Sequence, residues 1–339
     1  MRYTDRVYGS VEFTEPVLLE LIQDPALQRL KGIDQAGYRP LWIYPDADIT
    51  DEEFSRFAHS VGVCILLRIY DASLEEQIAG LLHDVSHSAF SHCIDYALRN
   101  GSGATQKHQD EYFHQYINQT NIPAILTKHG YDPSEILDDS RFPLLERQLP
   151  DLCADRIDYA VRNAEAFEKK WTPIKIRRLL NSLATQDGKW FFHDIAAARE
   201  FSQLFHHLNN TYFASFLGAV MLQTVGDYLA YALDKTYITY HDLYTTDRAV
   251  LKKLHPFHEA DATLKTLYHR MHARDQVINS PDEYDRAVIC KSRVVDPFVT
   301  VNGTSIRLSE TDVQWKQIVS TERAPKRYFL KFLGNLATA

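Results

Sequence analysis

An excess of basic residues is the first thing this sequence lacks. Its 37 Lys and Arg stand against 45 Asp and Glu, for a formal net charge of −8. A groove for nucleic acid in general needs surplus cations to displace the counterions of the backbone, so that class is excluded. A local basic pocket for a small phosphate is not. Cysteine is scarce as well: Cys64, Cys93, Cys153 and Cys290 lie far apart, with no Cys-x-x-Cys pair. Neither a zinc knuckle nor a disulfide framework is expected, and thiols in a reducing compartment are the plain reading. No run approaches the roughly 20 apolar residues of a membrane span. The start, Met1-Arg2-Tyr3-Thr4-Asp5-Arg6, is charged where a leader peptide would be apolar. These absences point to a cytoplasmic protein with no membrane partner. Internal repeats and low-complexity tracts are missing too.

What is present is an ordinary globular composition, 45% hydrophobic and 24% charged over 339 residues, enough for one large domain with a small appendage. Residues 1–13 alternate weakly and predict a hairpin around Gly9-Ser10. From Glu15 the apolar period becomes helical, until Gly32, Gly37 and Pro40 break it. The aromatic run Leu41-Trp42-Ile43-Tyr44-Pro45 reads as an extended connector. Asp51-Glu52-Glu53 reads as a helix start, since carboxylates favour the positive end of the helix dipole. Ser73-Leu74-Glu75-Glu76 reads as a capping box. Further helices are expected from Lys107, through Cys153–Asn163, after the cap Asp194, and from Tyr212 to Leu233. Asp187-Gly188 marks a hairpin. Beyond Ser280 the period changes to strands at Val288-Ile289-Cys290, at Val294-Val295 and in a hairpin on Asn302-Gly303. The expected fold is mainly α. Residues 1–275 form a helical core that carries the site, and 276–339 form a small α+β region packed on it.

The stretch that demands an explanation is Ile78-Ala79-Gly80-Leu81-Leu82-His83-Asp84. An imidazole and a carboxylate end an apolar segment, and buried charge is expensive unless it is paired or bound to metal. His87 and His92 follow. His83 and His87, four residues apart, would share one helix face. His59 on the preceding helix and Asp155 on a later one could complete a metal shell; Asp158, one turn on from Asp155, is the rival. Imidazole nitrogen and carboxylate oxygen together suit Fe, Mn, Zn, Ni or Mg. Two other pairs, His193-Asp194 and His241-Asp242, sit at helix starts where Asp serves as a cap, and lack apolar flanks.

The sequence around these residues resembles the HD-domain phosphohydrolase superfamily, whose signature is a distant His, an adjacent His-Asp pair and a later Asp. Within it, the likeness is to the deoxynucleoside triphosphate triphosphohydrolase branch. The matching blocks are Asp24-Pro25-Ala26-Leu27-Gln28-Arg29-Leu30-Lys31, Arg56-Phe57-Ala58-His59-Ser60-Val61-Gly62-Val63, Gly80 to His92, and Asp155-Arg156-Ile157-Asp158-Tyr159. They cover roughly the first half of the chain. The resemblance implies an HD-domain helical bundle with small β-hairpins. It implies a divalent metal on His59, His83, Asp84 and Asp155. His87 and His92, with Asp95 supporting the second of them, and His108 would be catalytic. Gln35, Arg56, Arg156, Tyr159 and Tyr212 would contact substrate.

The implied reaction is attack of a metal-activated hydroxide on a phosphate ester, with a nucleotide or related small phosphate as partner and a dimer or tetramer as assembly. The literal alternative is a triphosphohydrolase yielding deoxynucleoside and triphosphate. A non-catalytic nucleotide sensor and a di-iron oxygenase are the others. Ala214 and Ser215 stand where that branch carries basic residues for the outer phosphates, so a ligand with fewer phosphates is expected. Gln28 and Lys31 match the branch's regulatory nucleotide site loosely, with Gln23 replacing an acid there. The region after Ser280 carries no chemistry legible in the sequence.

Overall fold

The computed structural model describes residues 1–38, 50–98, 103–272 and 274–336. The expected connector at Leu41–Pro45 lies outside the described residues, as do the first two residues of the loop that the sequence predicts at Gly101-Ser102-Gly103. The hairpin at the start pairs β1 (Arg2–Asp5) with β2 (Gly9–Glu12). Gly9 opens the second strand, so the turn falls on Arg6, Val7 and Tyr8. The first helix, α1 (Pro16–Gln23), buries Val17, Leu18, Leu21 and Ile22.

The central helix, α2, spans Arg56–Ile69 and begins later than its acidic flank predicts. Glu53 is engaged by Thr50 through both backbone N–H and hydroxyl. The cap is Ser55, whose hydroxyl accepts from Ala58 N–H. Every residue from Arg56 to Leu67 is buried, as befits a helix enclosed on all sides. Gly62 permits one close approach. A Cβ there would lie 2.0 Å from Arg162 Nη2 and 2.3 Å from Asp158 Oδ1, so any larger residue would displace that pair.

Helix α3 (Leu74–Leu82) is capped by Ser73, which accepts from Glu76 N–H. The other half of the expected capping box does not form. The Glu76 carboxylate instead accepts from the N–H groups of Leu144 and Leu145 at 2.7 and 3.0 Å, tying α3 to a distant loop. The helix ends at Leu82, and residues 83–86 continue as turns. His83 and His87 therefore do not share a helix face; the turns bring them to one cavity.

Helix α4 (His108–Ile117) adds Ile117 to the same core, α5 (Ala154–Phe167) packs on α2, and α6 (Ile195–Leu208) packs on α5. A second apolar cluster surrounds α7 (Phe216–Asp234), which buries Met221, Val225, Tyr228 and Leu229. By length and composition α7 is apolar enough to cross a membrane, against expectation, yet 61% of it is buried inside the fold. Tyr212 lies in a π-turn before it, not within it.

The hairpin of β3 (Leu183–Gln186) and β4 (Lys189–Phe192) turns on Asp187-Gly188 as expected. Strands β5 (Val277–Asn279) and β6 (Arg286–Cys290) flank β9 (Lys326–Phe332). Strand β7 (Phe298–Val301) pairs in parallel with β4 and forms the Asn302-Gly303 hairpin with β8 (Thr304–Arg307). Residues beyond 276 thus join both clusters: Val295, Val299 and Trp315 enter the first, and Val288, Leu330 and Phe332 the second. Val294 and Val295 are buried but form no strand. The segment from Lys291 to Pro297 crosses between the clusters and passes the site.

Candidate metal centre

His59 projects from α2, His83 and Asp84 from the turn after α3, and Asp155 from the first turn of α5. Their polar atoms converge. His59 Nε2 lies 3.0 Å from Asp155 Oδ1 and 3.3 Å from His83 Nε2. The Asp84 carboxylate comes within 3.7 Å of His59 Nε2 and 3.5 Å of His83 Nε2.

The neighbours of each imidazole fix its tautomer. His59 Nδ1 donates to Asp158 Oδ2 at 2.7 Å, and His83 Nδ1 donates to the Gly80 carbonyl at 2.8 Å. In the neutral rings both Nε2 atoms therefore present lone pairs to each other and to two carboxylates. Such a gathering is repulsive unless positive charge sits within it. Accordingly, burial pulls His83 down, but Asp84 and Asp155 outweigh it and push it up to about 9. His59 is raised in the same way, against its burial, by Asp155 and Asp158. Asp84 and Asp155 are held below the carboxylate range despite burial, Asp84 chiefly by Arg56 and Asp155 by the two imidazoles. Two imidazoles and two carboxylates with orienting partners form a donor set that fits a divalent ion.

Asp158 does not join the cluster. It is fully buried, accepts from Arg162 Nε and Nη2 at 3.0 and 2.9 Å, and takes the Tyr8 hydroxyl at 2.9 Å. Arg162 also reaches Asp5. The rival of Asp155 is therefore the residue that orients His59, anchored to the N-terminal hairpin.

The cluster lies in the wall of a cavity of about 990 Å³, at the upper end of the range of small-molecule sites. Gln35, Arg56, His87, His92, Arg156, Tyr159 and Tyr212 line it as well. His87 Nε2 lies 3.3 Å from Asp84 Oδ1, and burial beside Arg56 pushes His87 down to about 3. His92 packs edge-on against His87, and burial lowers it too. Its expected support is loose: Asp95 Oδ2 stands 3.7 Å from His92 Nδ1, and Oδ1 accepts from His108 N–H. His108 does not reach the cavity. Its ring stacks on Tyr112 and meets the Tyr244 hydroxyl at 3.0 Å, so the structure places it in an aromatic packing layer outside the cavity. Gln35 Oε1, His92 Nδ1 and Tyr159 OH are buried without a partner among the described residues.

The two expected arginines are heavily engaged. Arg56 donates from Nε to Ser91, from Nη1 to Asp84 and from Nη2 to the Gln35 carbonyl, at 3.0, 2.8 and 3.0 Å. Arg156 holds Glu146, the Asp151 carbonyl and Cys153. Tyr212 donates to Glu168. Ser215, where a basic residue was looked for, caps α7 by accepting from Gly218 N–H at 2.9 Å. Lys31 pairs with Glu52 at 2.8 Å. Lys291 and Arg293, unforeseen from the sequence, also line the cavity.

The model of the HD domain matches residues 56–161, from the capped start of α2 through Asp155. The chain is 33% identical over 336 residues to the uncharacterized protein YdhJ of Bacillus subtilis, covering 98% of this chain and 99% of that one. The chain belongs to the HD-domain phosphohydrolase superfamily. Within the superfamily it is 42% identical over 167 residues to the metal-dependent phosphohydrolase cns2 of Cordyceps militaris, covering 49% of this chain and 45% of cns2. It is 30% identical over 153 residues to the deoxynucleoside triphosphate triphosphohydrolase SAMHD1 of Mus musculus, where 39% of this chain covers 22% of the enzyme. Under half of cns2 and about a quarter of SAMHD1 are thus spanned. The crystal structure of a phosphohydrolase from Bacteroides thetaiotaomicron superposes with a TM-score of 0.70 at 16% identity, covering 98% of this chain and all of that one, which establishes a shared fold.

Proposed function

We propose that this HD-domain protein hydrolyses a nucleotide or related small phosphate ester with a divalent metal held by His59, His83, Asp84 and Asp155. The supporting observation is the convergence of four lone-pair-bearing groups, with fixed tautomers, in the wall of a cavity large enough for a nucleotide. When bound, a divalent ion there makes a water nucleophile available near neutral pH and polarises a phosphoryl oxygen.

The protein's own groups supply the rest. His92 lines the cavity without a hydrogen bond to any of the four ligands; the negative charge of a bound phosphate would offset the burial that lowers it and let it give a proton to the leaving oxygen. His87, touching Asp84, holds that carboxylate in orientation. Arg56 braces the opposite side of Asp84 and holds the turn that presents Gln35 through its carbonyl. Tyr159 and Gln35 offer polar atoms to the sugar or base. Phosphate release from nucleoside mono-, di- and triphosphates, with and without metal and with added pyrophosphatase, identifies the leaving group. Orthophosphate released directly supports cleavage at a terminal phosphate or monoester. Tripolyphosphate alone marks cleavage on the sugar side, as the SAMHD1 relatives' name describes for them. No product from any phosphate ester in the presence of metal sinks the reading.

A further inference from the structure

Among the described residues, Lys291 and Arg293 differ from the other lysines and arginines of the cavity in having no carboxylate within ion-pair distance. Arg56 is paired with Asp84 at 2.8 Å, Arg156 with Glu146 at 2.8 Å and Arg147 with Asp151 at 3.5 Å. Among the described residues neither Lys291 nor Arg293 makes an ion pair. Arg293 donates only to neutral oxygens, the Gln106 side chain at 2.7 Å and the Lys291 carbonyl at 3.4 Å. Asp110 and Glu146 act on Lys291 from beyond ion-pair distance. Both cations are half-buried.

Their position is fixed from behind. Asn209 Oδ1 accepts from Arg293 N–H at 2.9 Å and Asn209 Nδ2 donates to Ser292 at 3.1 Å. Asn209 and Ser292 are buried, as are Val294 and Val295 that follow. The two cations are thus presented by a rigid crossing segment, with Arg293 close enough to act on both His92 and Tyr159. Half-buried, unpaired positive charge on a rigid support costs free energy until an anion arrives.

We infer that Lys291 and Arg293 form an anion subsite beside the His-Asp cluster, which holds phosphates other than the one that reacts. The ligand of this cavity therefore carries more than one phosphate, as a nucleoside di- or triphosphate does. This reverses the expectation drawn from Ala214 and Ser215: the basic residues absent before α7 are replaced by two from the strand connection after β6. The inference rests on the proposed function for the identity of the reacting phosphate, though its test does not.

Binding of orthophosphate, pyrophosphate and tripolyphosphate to the full chain, measured by calorimetry without turnover, reads the subsite directly. Lys291→Gln, Arg293→Gln and the double variant are compared with wild type, with thermal melting to establish that each folds. Wild type binds tripolyphosphate more tightly than orthophosphate, and each substitution weakens tripolyphosphate roughly tenfold, as expected for loss of a charge-assisted contact. Orthophosphate affinity changes little. Equal affinity for the three anions in wild type overturns the subsite, and so does an equal loss for all three in folded variants. If the subsite behaves as stated but no ester is hydrolysed, the hydrolase reading fails and the subsite stands.

Discussion

Nε2 of His59 stands 3.3 Å from Nε2 of His83, and the acceptors behind each ring take the Nδ1 protons, so each neutral ring turns a lone pair to the other until a proton or a metal ion sits between them. Two facing lone pairs are an unstable arrangement that a cation relieves. Added divalent metal should therefore stabilise the fold, by about 2.7 kcal/mol at a hundredfold excess over Kd. Thermal melting with and without Mn or Fe, and after chelation, measures this. The shift should vanish in His83→Ala. A wild-type Tm indifferent to every divalent ion would contradict the geometry.

Asp158 is the second target. It both orients His59 and neutralises the buried Arg162. Asp158→Asn removes one of the two carboxylates on Arg162 and leaves Asp5 as the other, so a loss of about 1.5–3 kcal/mol of stability is expected, as for a hydrogen bond to a charged group. Metal affinity should fall about 10–100-fold as His59 loosens. Urea unfolding and metal titration separate the two effects. An Asn variant with unchanged metal affinity would remove Asp158 from the account.

These two residues show what the sequence could and could not disclose. His83-Asp84 is conspicuous because charge ends an apolar segment, and His59 and Asp155 are readable from the residues flanking them. Asp155 and Asp158, one helical turn apart, are indistinguishable by spacing; only the direction of the α5 face separates ligand from orienting group. The helix before His83 was legible, but its end was not, since no Gly or Pro follows Leu82. His83 ends it itself by bonding back to Gly80. Glu76 looked like half of a capping box and serves a loop nearly seventy residues away. Lys291 and Arg293 lie beyond the matched region, in a segment with no periodicity, and acquire a role only because β6 and β7 belong to different sheets. The packing of His108 away from the cavity has the same origin. Its helix start was foreseen, but its ring direction is set by Tyr112 and Tyr244.

His92→Ala should lower kcat by about 10²–10⁴, the usual worth of a positioned proton donor, while metal content stays at the wild-type level. Steady-state kinetics with elemental analysis of the same sample tests this. Loss of activity accompanied by loss of metal would make His92 part of the metal shell instead.

Asp247 carries a prediction about pH. Its carboxylate accepts from Phe90 N–H at 2.7 Å and Asp34 N–H at 2.9 Å, joining the left-handed turn before His92 to the residue before Gln35. Burial pushes it up to about 8, above its value in the unfolded chain. The folded state thus keeps a proton that the unfolded chain has released, and this group's contribution to stability is lost as pH rises from about 4 to about 8. Asp247→Asn should flatten the stability profile across that window while costing one backbone hydrogen bond. Denaturant unfolding at pH 5.5 and pH 8 measures the slope. Parallel profiles in the two proteins would show that Asp247 does not titrate there.

His59, His83, Asp84 and Asp155 together are expected to hold a metal ion. Elemental analysis of purified protein, counted per chain after exposure to Fe, Mn, Mg, Zn and Ni, tests it most directly when wild type and Asp155→Ala are compared. At least one tightly held ion per wild-type chain and a small fraction of that in the variant is the expected result. A wild-type chain that retains no metal, or a folded Asp155→Ala that retains as much as wild type, would contradict it.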